Sequence, residues 1–407
     1  MRRLIFVNRY FHPDHSATSQ ILSDLAFHLA AAGREVHVVT GRQIYDNPRA
    51  SLPATETVRD VHVHRVASTQ FGRAGLLGRS TDYFSFYWSL RHGLAGTLRR
   101  GDILIVKTDP PLAAVLAMRS ARHAGARLVN WLQDVYPEIA VELGVPLIRG
   151  PSAAALTALR NRSLQDAAAT VAVGHAMAQK IESLGTPPTR IHVIANWCAD
   201  EEITPIARLD NPLRTAWGLQ DRFVVGYSGN LGRAHEFATV LNAAERLRGN
   251  LHIAFLMIGG GKGFDELAQA VKTRGLESLF RFVPYQNREL LSHSLAVPDI
   301  HWISLRPELE GLIVPSKFYG IAAAGRPIIV IGAREGELAR LVEAHGCGAT
   351  FSVGEDAALA EAIVRLAADS AAVAEMGSRA RQMLEANFTR QSAFRRWRTL
   401  LDDLDRP

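Results

Sequence analysis

The stretch ELEGLIVPSKFYGIAAAGRPIIV, residues 308–330, contains one unit of an alternating α/β fold. An acidic loop leads into a helix that is predicted to begin at Pro315 and to end at Gly325, before a buried strand. Lys317 lies in the first turn of this helix, where the helix dipole favours anions over cations. A negatively charged group is therefore expected opposite this lysine.

The length and composition of the chain favour a globular protein with two domains. Its 407 residues exceed the usual size of one hydrophobic core, and 47% are apolar against 21% charged. The net charge of +6 suits anionic small molecules or an anionic membrane surface, and nucleic acid is not expected as a partner. Cys198 and Cys347 have no neighbours at metal-ligand spacing, which favours a reduced, cytoplasmic setting. The start MRRLIFVNRYF resembles a strand rather than a signal peptide, and no apolar run is long enough to span a membrane.

Strands and helices alternate along both halves of the chain. Short buried runs such as LIFVN (4–8) are followed by a loop and an amphipathic helix, and VHVHRVA (61–67) alternates with period two. This order predicts doubly wound parallel sheets in two domains, residues 1–200 and 201–387. The helix from about 388 to 407 is predicted to cap one domain or to cross back to the first.

Two glycine-rich turns are candidate phosphate sites. In GYSGNLGRAHEF (226–237), a strand ends among glycines before a helix, and Arg233 can bind phosphate oxygens. A tight turn with a surface arginine explains this segment equally well. MIGGGKGFDEL (257–267), which contains Lys262, is neither a P-loop nor a dinucleotide fingerprint, and a flexible turn is at least as good an interpretation.

The opening stretch offers a further set of polar groups. Ser316 and the free N–H groups of the first helical turn can hold a phosphate, and Lys317 can neutralise it. Glu308 and Glu310 precede the helix, where a carboxylate can accept hydrogen bonds from sugar hydroxyls. The alternatives are a solvated acidic loop and a surface lysine whose amine reaches water. Because two independent features converge on one helix start, we favour a ligand site for Glu310 and Lys317.

Other candidates follow strands of the N-terminal half. The loop NRYFHPDHSATSQ (8–20) contains His12, Asp14 and His15, but their spacing fits no strong zinc pattern. A polar loop beside a ligand is therefore favoured over a metal site. Asp134 ends a buried strand in NWLQDVYPE and is a site candidate, with a structural helix cap as the alternative.

Two segments, 71–100 and 146–164, combine arginine with apolar and aromatic residues. A basic, aromatic-rich helix can lie in a membrane interface, and the alternative is a core helix packed on its own sheet. We favour membrane contact for the first segment and core packing for some of its positions. The residues concerned are Tyr83, Phe84, Phe86, Tyr87, Trp88 and Leu90, flanked by Arg73, Arg79, Arg91, Arg99 and Arg100.

Over nearly its whole length, the chain resembles the retaining glycosyltransferases of family four. The resemblance rests on GNLGRAHEF, IGGGKG, FVPYQNRELL, EGLIVPSKFYGIAAAGRPII and GELARLVEAHGCGATFSVGEDAALAEAI, with looser support from NRYFHPDHSATSQ, WLQDVYPE and VIANW. It implies the GT-B fold, in which two Rossmann-like domains face each other across a cleft. Within the family, the chain looks most like enzymes that make bacterial surface polysaccharides, such as colanic acid, O-antigen and exopolysaccharide.

The resemblance also implies ligands and roles. A UDP- or GDP-linked sugar donor would bind the C-terminal domain, with no metal or other cofactor. A glycan on a polyprenyl diphosphate would be the acceptor on the N-terminal side, with the protein peripheral on the inner face of the bacterial membrane. Catalytic roles are implied for Glu310, Asp134, Arg233 and Lys317. The implied donor contacts are Gly229, Asn230, Gly232, Arg233, His235, Gly259, Gly260, Lys262, Tyr285, Gly311, Leu312, Ile313, Pro315, Ser316, Lys317 and Gly320. The implied acceptor-side residues are His15, Ser16, Ala17, Thr18, Tyr83, Trp88, Gln133 and Asp134.

The chain departs from the family pattern at the ribose contact. The family has two glutamates eight residues apart, one on the donor sugar and the other on the ribose. Glu310 or Glu308 can supply the first. The second is absent, because Gly320 stands at its expected position.

A second departure affects the turn after the first strand of the C-terminal domain. Asn230 stands near the usual arginine and His235 near the usual lysine, and Arg233 can substitute. Two other hypotheses therefore stay open: a different GT-B enzyme such as an epimerase or hydrolase, and a nucleotide-binding relative without activity. An NAD-dependent oxidoreductase is disfavoured because the dinucleotide fingerprint is missing.

Overall fold

The computed structural model describes residues 1–45, 47, 50–71 and 76–406. The chain divides into two compact units: unit 1 is Met1–Ala195 with Phe394–Pro407, and unit 2 is Asn196–Ala393. The domain boundaries that are predicted from the sequence lie after residues 200 and 387. Of the arginines predicted to face a membrane, Arg73 lies outside the described residues, as does the side chain of Arg79.

The described residues of unit 1 form eight strands and six helices, followed by part of the last helix of the chain. The strands are β1 Leu4–Val7, β2 Val36–Gly41, β3 Thr55–Val58, β4 Val61–Val66, β5 Ile103–Lys107, β6 Arg127–Trp131, β7 Ala169–Ala172 and β8 Ile191–Val193. The helices are α1 Ala17–Ala31, α2 Leu76–Thr97, α3 Ala113–Ala124, α4 Glu138–Glu142, α5 Gly150–Asp166 and α6 His175–Ser183. The sheet has the order β3-β4-β2-β1-β5-β6-β7-β8, and only the β3–β4 pair is antiparallel within it.

Unit 2 repeats the alternation with six strands and eight helices in its described residues. The strands are β9 Phe223–Asn230, β10 Ile253–Gly260, β11 Phe280–Val283, β12 Ile300–Ser304, β13 Ile328–Ile331 and β14 Gly348–Phe351. The helices are α7 Pro212–Ala216, α8 Ala238–Arg246, α9 Lys262–Thr273, α10 Leu291–Ala296, α11 Lys317–Ala323, α12 Glu337–His345, α13 Asp356–Ala368 and α14 Ser370–Asn387. The sheet is parallel throughout, in the order β11-β10-β9-β12-β13-β14. The last helix, α15 Arg390–Asp405, belongs to unit 1 from Phe394 onward.

The burial of the strands follows their position between helices. The continuous apolar runs of β1 and β5 are buried on both faces, as expected for central strands of a parallel sheet. β4 alternates between buried and more exposed residues, which confirms the period-two pattern of its sequence. In unit 1, Trp397 of α15 is fully buried, with its ring centroid 4.6 Å from that of Trp131 on β6.

The helix of the opening stretch is α11. The prediction that it begins at Pro315 is wrong by two residues, because Pro315 and Ser316 form the turn before Lys317. Because α11 has only seven residues, its dipole is small and disfavours a lysine at its start only weakly. Gly325 has a φ of +63° and follows the helix, as predicted for a glycine stop.

In the described part of the chain, no helix combines the length and the apolar character that crossing a bilayer requires.

Candidate active site

The two glycine-rich turns of unit 2 pack against each other. The last residues of β9 and β10 are paired, Gly229 with Gly259 and Asn230 with Gly260. A β-carbon on Gly259 would lie 2.2 Å from the carbonyl oxygen of Gly229, and one on Gly261 would lie 2.1 Å from Oδ1 of Asn230. Two of the glycines in IGGGKG are therefore required by the close approach of the two strand ends.

Lys262 points away from this contact. Its side chain is 76% exposed, and its amine lies 3.7 Å from a carboxylate oxygen of Glu266 one helical turn later. This geometry favours the alternative interpretation of the GGGKG segment as a turn, with Lys262 as a solvated lysine. Tyr285 is 60% exposed, and a β-carbon on Gly260 would lie 3.2 Å from its ring.

Lys317 reaches from α11 to the end of β9. Its amine lies 3.9 Å from the centroid of the Tyr227 ring and donates a hydrogen bond to the Tyr227 hydroxyl. That hydroxyl donates to the carbonyl oxygen of Asn230 at 2.9 Å. A β-carbon on Gly229 would lie 3.7 Å from Cε of Lys317. The lysine thus occupies the space beside the first glycine-rich turn.

His235 completes the surroundings of this amine. Its Nδ1 donates to the carbonyl oxygen of Ser304 at 2.6 Å, so the lone pair of Nε2 faces Lys317 at 3.4 Å. Burial lowers the pKa of Lys317 to about 7. Burial, together with the nearby Lys317 amine, lowers the pKa of His235 to about 3. The imidazole is therefore neutral at physiological pH. It can accept a hydrogen bond from the Lys317 amine and does not repel its charge.

Glu310 has a partner that its sequence position did not indicate. Its Oε1 accepts a hydrogen bond from the backbone N–H of Glu337 at 2.8 Å, at the start of α12. Its Oε2 lies against Gly336, where a β-carbon would be only 2.6 Å away. Burial raises the pKa of Glu310, although the Glu337 N–H opposes this shift. The carboxylate is thus partly used as a helix cap, while Glu308 is exposed beside Arg306.

The remaining residues that are predicted to contact the donor lie in the loop before α11, on α11 and in the turn after β9. Gly311 has a φ of +74°, Leu312 and Pro315 are buried, and Ile313 is half-buried, so this segment offers backbone more than side chains. Gly320 is half-buried on α11, and a β-carbon there would meet Leu295 at 3.5 Å, an ordinary contact. No steric requirement for glycine is therefore visible at position 320. Half-buried Gly232 and Ser316 and exposed Arg233 complete the candidates in unit 2.

In unit 1, Asp134 follows β6 and carries an incompletely paired carboxylate. Its Oδ1 is buried and has no hydrogen-bond partner among the described residues. Burial, and secondarily the charge of Asp109, raises its pKa to about 7. The adjacent Gln133 donates its backbone N–H to the Thr108 hydroxyl at 3.1 Å. Asp134 therefore does not act as a hydrogen-bonded helix cap through Oδ1, in contrast to the structural alternative.

The loop before α1 and the first turn of this helix are held by contacts that the sequence did not reveal. Asp14 accepts hydrogen bonds from the backbone N–H and the hydroxyl of Ser16. The carbonyl oxygen of Thr18 accepts from the buried amine of Lys107 at 3.0 Å. His15 and Ala17 are exposed beside them. Among the described residues, no group of three or more His, Cys, Asp or Glu side chains could hold a metal ion.

The aromatic residues of α2 divide between core and surface. Phe86 and Leu90 are fully buried in the core of unit 1, and the Tyr87 hydroxyl donates to the carbonyl oxygen of Pro111. Tyr83 lies 4.9 Å below the guanidinium of Arg9. Phe84 and Trp88 are 74% and 63% exposed on the opposite face. Core packing therefore holds for the buried face of α2, and membrane contact stays a prediction for its exposed face.

Two family models match the chain. Residues 17–197 match the model described as "Glycosyl transferase 4-like domain", and residues 212–383 match "Glycosyl transferases group 1". The chain belongs to the family-four glycosyltransferases. The predictions of the family and of a transferase activity are confirmed by these matches.

Named relatives agree with this family. "Probable glycosyltransferase WbjE" of Pseudomonas aeruginosa is 27% identical over 316 residues, which cover 77% of this chain and 76% of that protein. "Putative colanic acid biosynthesis glycosyl transferase WcaI" of Escherichia coli K12 is 26% identical over 362 residues, which cover 84% of this chain and 86% of that protein.

Solved structures show the fold of this glycosyltransferase. Sucrose-phosphate synthase of Thermosynechococcus elongatus matches with a TM-score of 0.79 and 16% identity over 99% of both chains. HepE of Anabaena, in complex with UDP-glucose, matches with a TM-score of 0.73 and 16% identity, covering 99% of this chain and 100% of that one. The predicted GT-B fold class, with two parallel-sheet α/β domains, is confirmed.

Proposed function

We propose that this glycosyltransferase moves a hexosyl or N-acetylhexosaminyl group, with retention at the anomeric carbon, from a UDP- or GDP-linked donor to a glycan on a polyprenyl diphosphate. Bacterial surface polysaccharide would be the product, as the name of the relative WcaI suggests. The observation that carries the donor assignment is Lys317. Its amine lies beside the turn at Gly229 and forms no ion pair with any described carboxylate. A donor diphosphate supplies the missing negative charge.

The same groups can assist departure of the diphosphate. When the bond from the anomeric carbon to the phosphate oxygen breaks, negative charge develops on the diphosphate, and Lys317 and Arg233 of unit 2 would stabilise it. The acceptor hydroxyl forms its bond on the same face and passes its proton to a departing phosphate oxygen. Asp134 and residues 15–18 of unit 1 would contact the acceptor. No step of this scheme requires a metal ion or another cofactor.

The proposal is tested first by binding and then by transfer. A panel of UDP- and GDP-linked sugars is screened for thermal stabilisation, because a ligand of the native state raises the unfolding temperature. The best donor is then incubated with a polyprenyl-diphosphate-linked glycan, and the configuration of the new linkage is determined by NMR. Donor turnover that is unaffected by acceptor would instead favour an epimerase or hydrolase. Absence of stabilisation by every nucleotide sugar would contradict the donor assignment.

A surface of unit 1 supports peripheral binding to the inner membrane. Helix α3 packs between α2 and α5, so the three helices form one layer. Its outer face, which we call the α2–α5 surface, exposes large apolar residues and arginines. The apolar residues are Phe84, Trp88 and Leu159, and the arginines are Arg91, Arg119 and Arg162. This composition suits a membrane surface, because exposed aromatic side chains can enter the headgroup region and arginines attract anionic lipid.

The double substitution Phe84→Glu/Trp88→Glu is expected to weaken binding to anionic vesicles by about tenfold or more, because it removes two apolar anchors and adds two repelled charges. Flotation with phosphatidylglycerol-containing vesicles at low salt measures the bound fraction. Leu209→Glu/Leu251→Glu is the matched control, since both leucines are exposed in unit 2. Equal loss in the two double variants, or a wild-type protein that does not float, would contradict the membrane assignment.

A further inference from the structure

One positive charge of the candidate site in unit 2 comes from α11 rather than from the turn after β9. By sequence, Asn230 and His235 stand near the positions where the family has an arginine and a lysine. In the structure, the amine of Lys317 lies 3.4 Å from Nε2 of His235 and 3.5 Å from the carbonyl oxygen of Asn230. A lysine on α11 therefore places positive charge beside the turn that lacks the usual basic pair.

The groups that face this amine are neutral or positive. Tyr227 on β9 and His235 on the following turn contact it, and Arg233 lies on the same turn. From α14, Arg381 reaches only the far end of α11, where it donates to the carbonyl oxygen of Ala323. The carboxylate of Glu310, from the loop before α11, is held at the start of α12. Of the carboxylates that the structure describes, none forms an ion pair with Lys317.

We propose that Lys317 is a proton-linked cation, so that binding of the donor diphosphate at this turn is accompanied by uptake of one proton by its amine. The inference rests on the proposed donor function and adds a regulation of the same site. Tyr227 and His235 fix the position of the nitrogen by a hydrogen bond and a cation–π contact, yet neither supplies negative charge. The ligand is the counter-ion, and the free site holds the proton weakly.

The direction of the pH dependence follows from the burial of the amine. Desolvation lowers the pKa of Lys317 to about 7, and a bound diphosphate raises it again because an anion favours the ammonium form. Well below this pH, the free amine is already protonated, and the affinity for the donor is constant. Above pH 7, binding must first protonate the amine, so the affinity falls by about tenfold for each pH unit.

Isothermal titration calorimetry with UDP-glucose and GDP-mannose tests this inference. Neither diphosphate bridge titrates between about pH 6 and about pH 8.5, so a slope in this range reports the protein. The better ligand is titrated in buffers of different ionisation enthalpy, which also gives the number of protons taken up. The wild type is expected to lose about tenfold in affinity between pH 7.5 and 8.5 and to take up close to one proton at the upper value.

Two variants separate Lys317 from other titrating groups. Lys317→Arg keeps its charge over the whole range, so its affinity profile is expected to be flat and its proton uptake close to zero. Lys272→Met removes an exposed lysine from the last turn of α9 and is expected to retain the wild-type slope. A flat wild-type profile without proton uptake overturns the inference, as does a Lys317→Arg variant with the wild-type slope. If neither of these two nor any other UDP- or GDP-linked sugar of the stabilisation panel binds at any pH, the proposed donor function is overturned, and the inference with it.

Discussion

Replacing Lys317 with methionine is expected to slow sugar transfer by about a hundredfold or more, because the variant loses a charge that stabilises the departing diphosphate. The same substitution is expected to leave the protein at least as stable as the wild type at pH 7. Burial lowers the pKa of Lys317 to about 7, so its contacts with Tyr227 and His235 do not compensate for the lost hydration of the ammonium. Methionine has similar length, packs against the Tyr227 ring and carries no charge.

The measurements are kcat with saturating donor and the free energy of unfolding in urea. Lys272→Met is the matched control: it also removes one lysine from unit 2, but this lysine is exposed on the last turn of α9, and both quantities are expected to stay near wild type. A Lys317→Met variant that transfers sugar at the wild-type rate would remove this residue from the active site. A variant that is markedly less stable would show that the lysine has a structural role.

The sequence was sufficient for the fold because the signals that define it are local. Buried strands such as LIFV are continuous apolar runs, and β4 carries a period-two pattern that the structure reproduces in its burial. The end of α11 was also predictable, since Gly325 adopts the positive φ that few other residues tolerate. Its start was placed two residues too early because a proline preceding a turn and one opening a helix look alike in sequence.

The partners of the site residues were not predictable, because they are remote in sequence. His235 and Lys317 are separated by 82 positions, and Glu310 bonds to a backbone N–H 27 positions later. Tyr227 was missed altogether because it lies within a buried strand, where an aromatic residue normally signals core packing. Only its hydroxyl, directed at Lys317, distinguishes it from a core tyrosine, and nothing in the local pattern reports that direction.

The glycines of IGGGKG show why composition alone misleads. A glycine-rich turn after a parallel strand is compatible with phosphate binding and equally with close packing of two backbone segments. At Gly259 and Gly261, the neighbouring strand end already occupies the space that a β-carbon would need. Sequence cannot separate these causes, because both select against any side chain.

Asp134 is expected to reduce the stability of the protein at alkaline pH. Burial raises the pKa of Asp134 in the native state to about 7, from an ordinary value of 3.8, so the native protein holds this proton more tightly than the unfolded chain. The resulting stabilisation is complete below pH 3.8 and is lost as the pH rises to about 7. Asp134→Asn, which cannot ionise, should therefore raise the free energy of unfolding at pH 8 by about 1–3 kcal/mol, and by much less near pH 4.

Urea unfolding at the two pH values measures this effect, and Asp102→Asn provides the contrast. Asp102 is also a buried aspartate of unit 1, but it accepts hydrogen bonds from Nε of Arg3 at 3.0 Å and from the backbone N–H of Arg99 at 2.7 Å. Breaking that pair should cost about 1–3 kcal/mol, because the half-buried guanidinium of Arg3 loses a charged hydrogen-bond partner and keeps Glu35 and the Thr97 carbonyl. Loss of stability at pH 8 in both variants would mean that Asp134 has a stabilising partner in solution. The expected outcome is that Asp134→Asn raises the free energy of unfolding at pH 8 and Asp102→Asn lowers it. Together with slower transfer by Asp134→Asn at unchanged donor affinity, this outcome would indicate that the Asp134 carboxylate is retained for its contact with the acceptor despite its cost to folding.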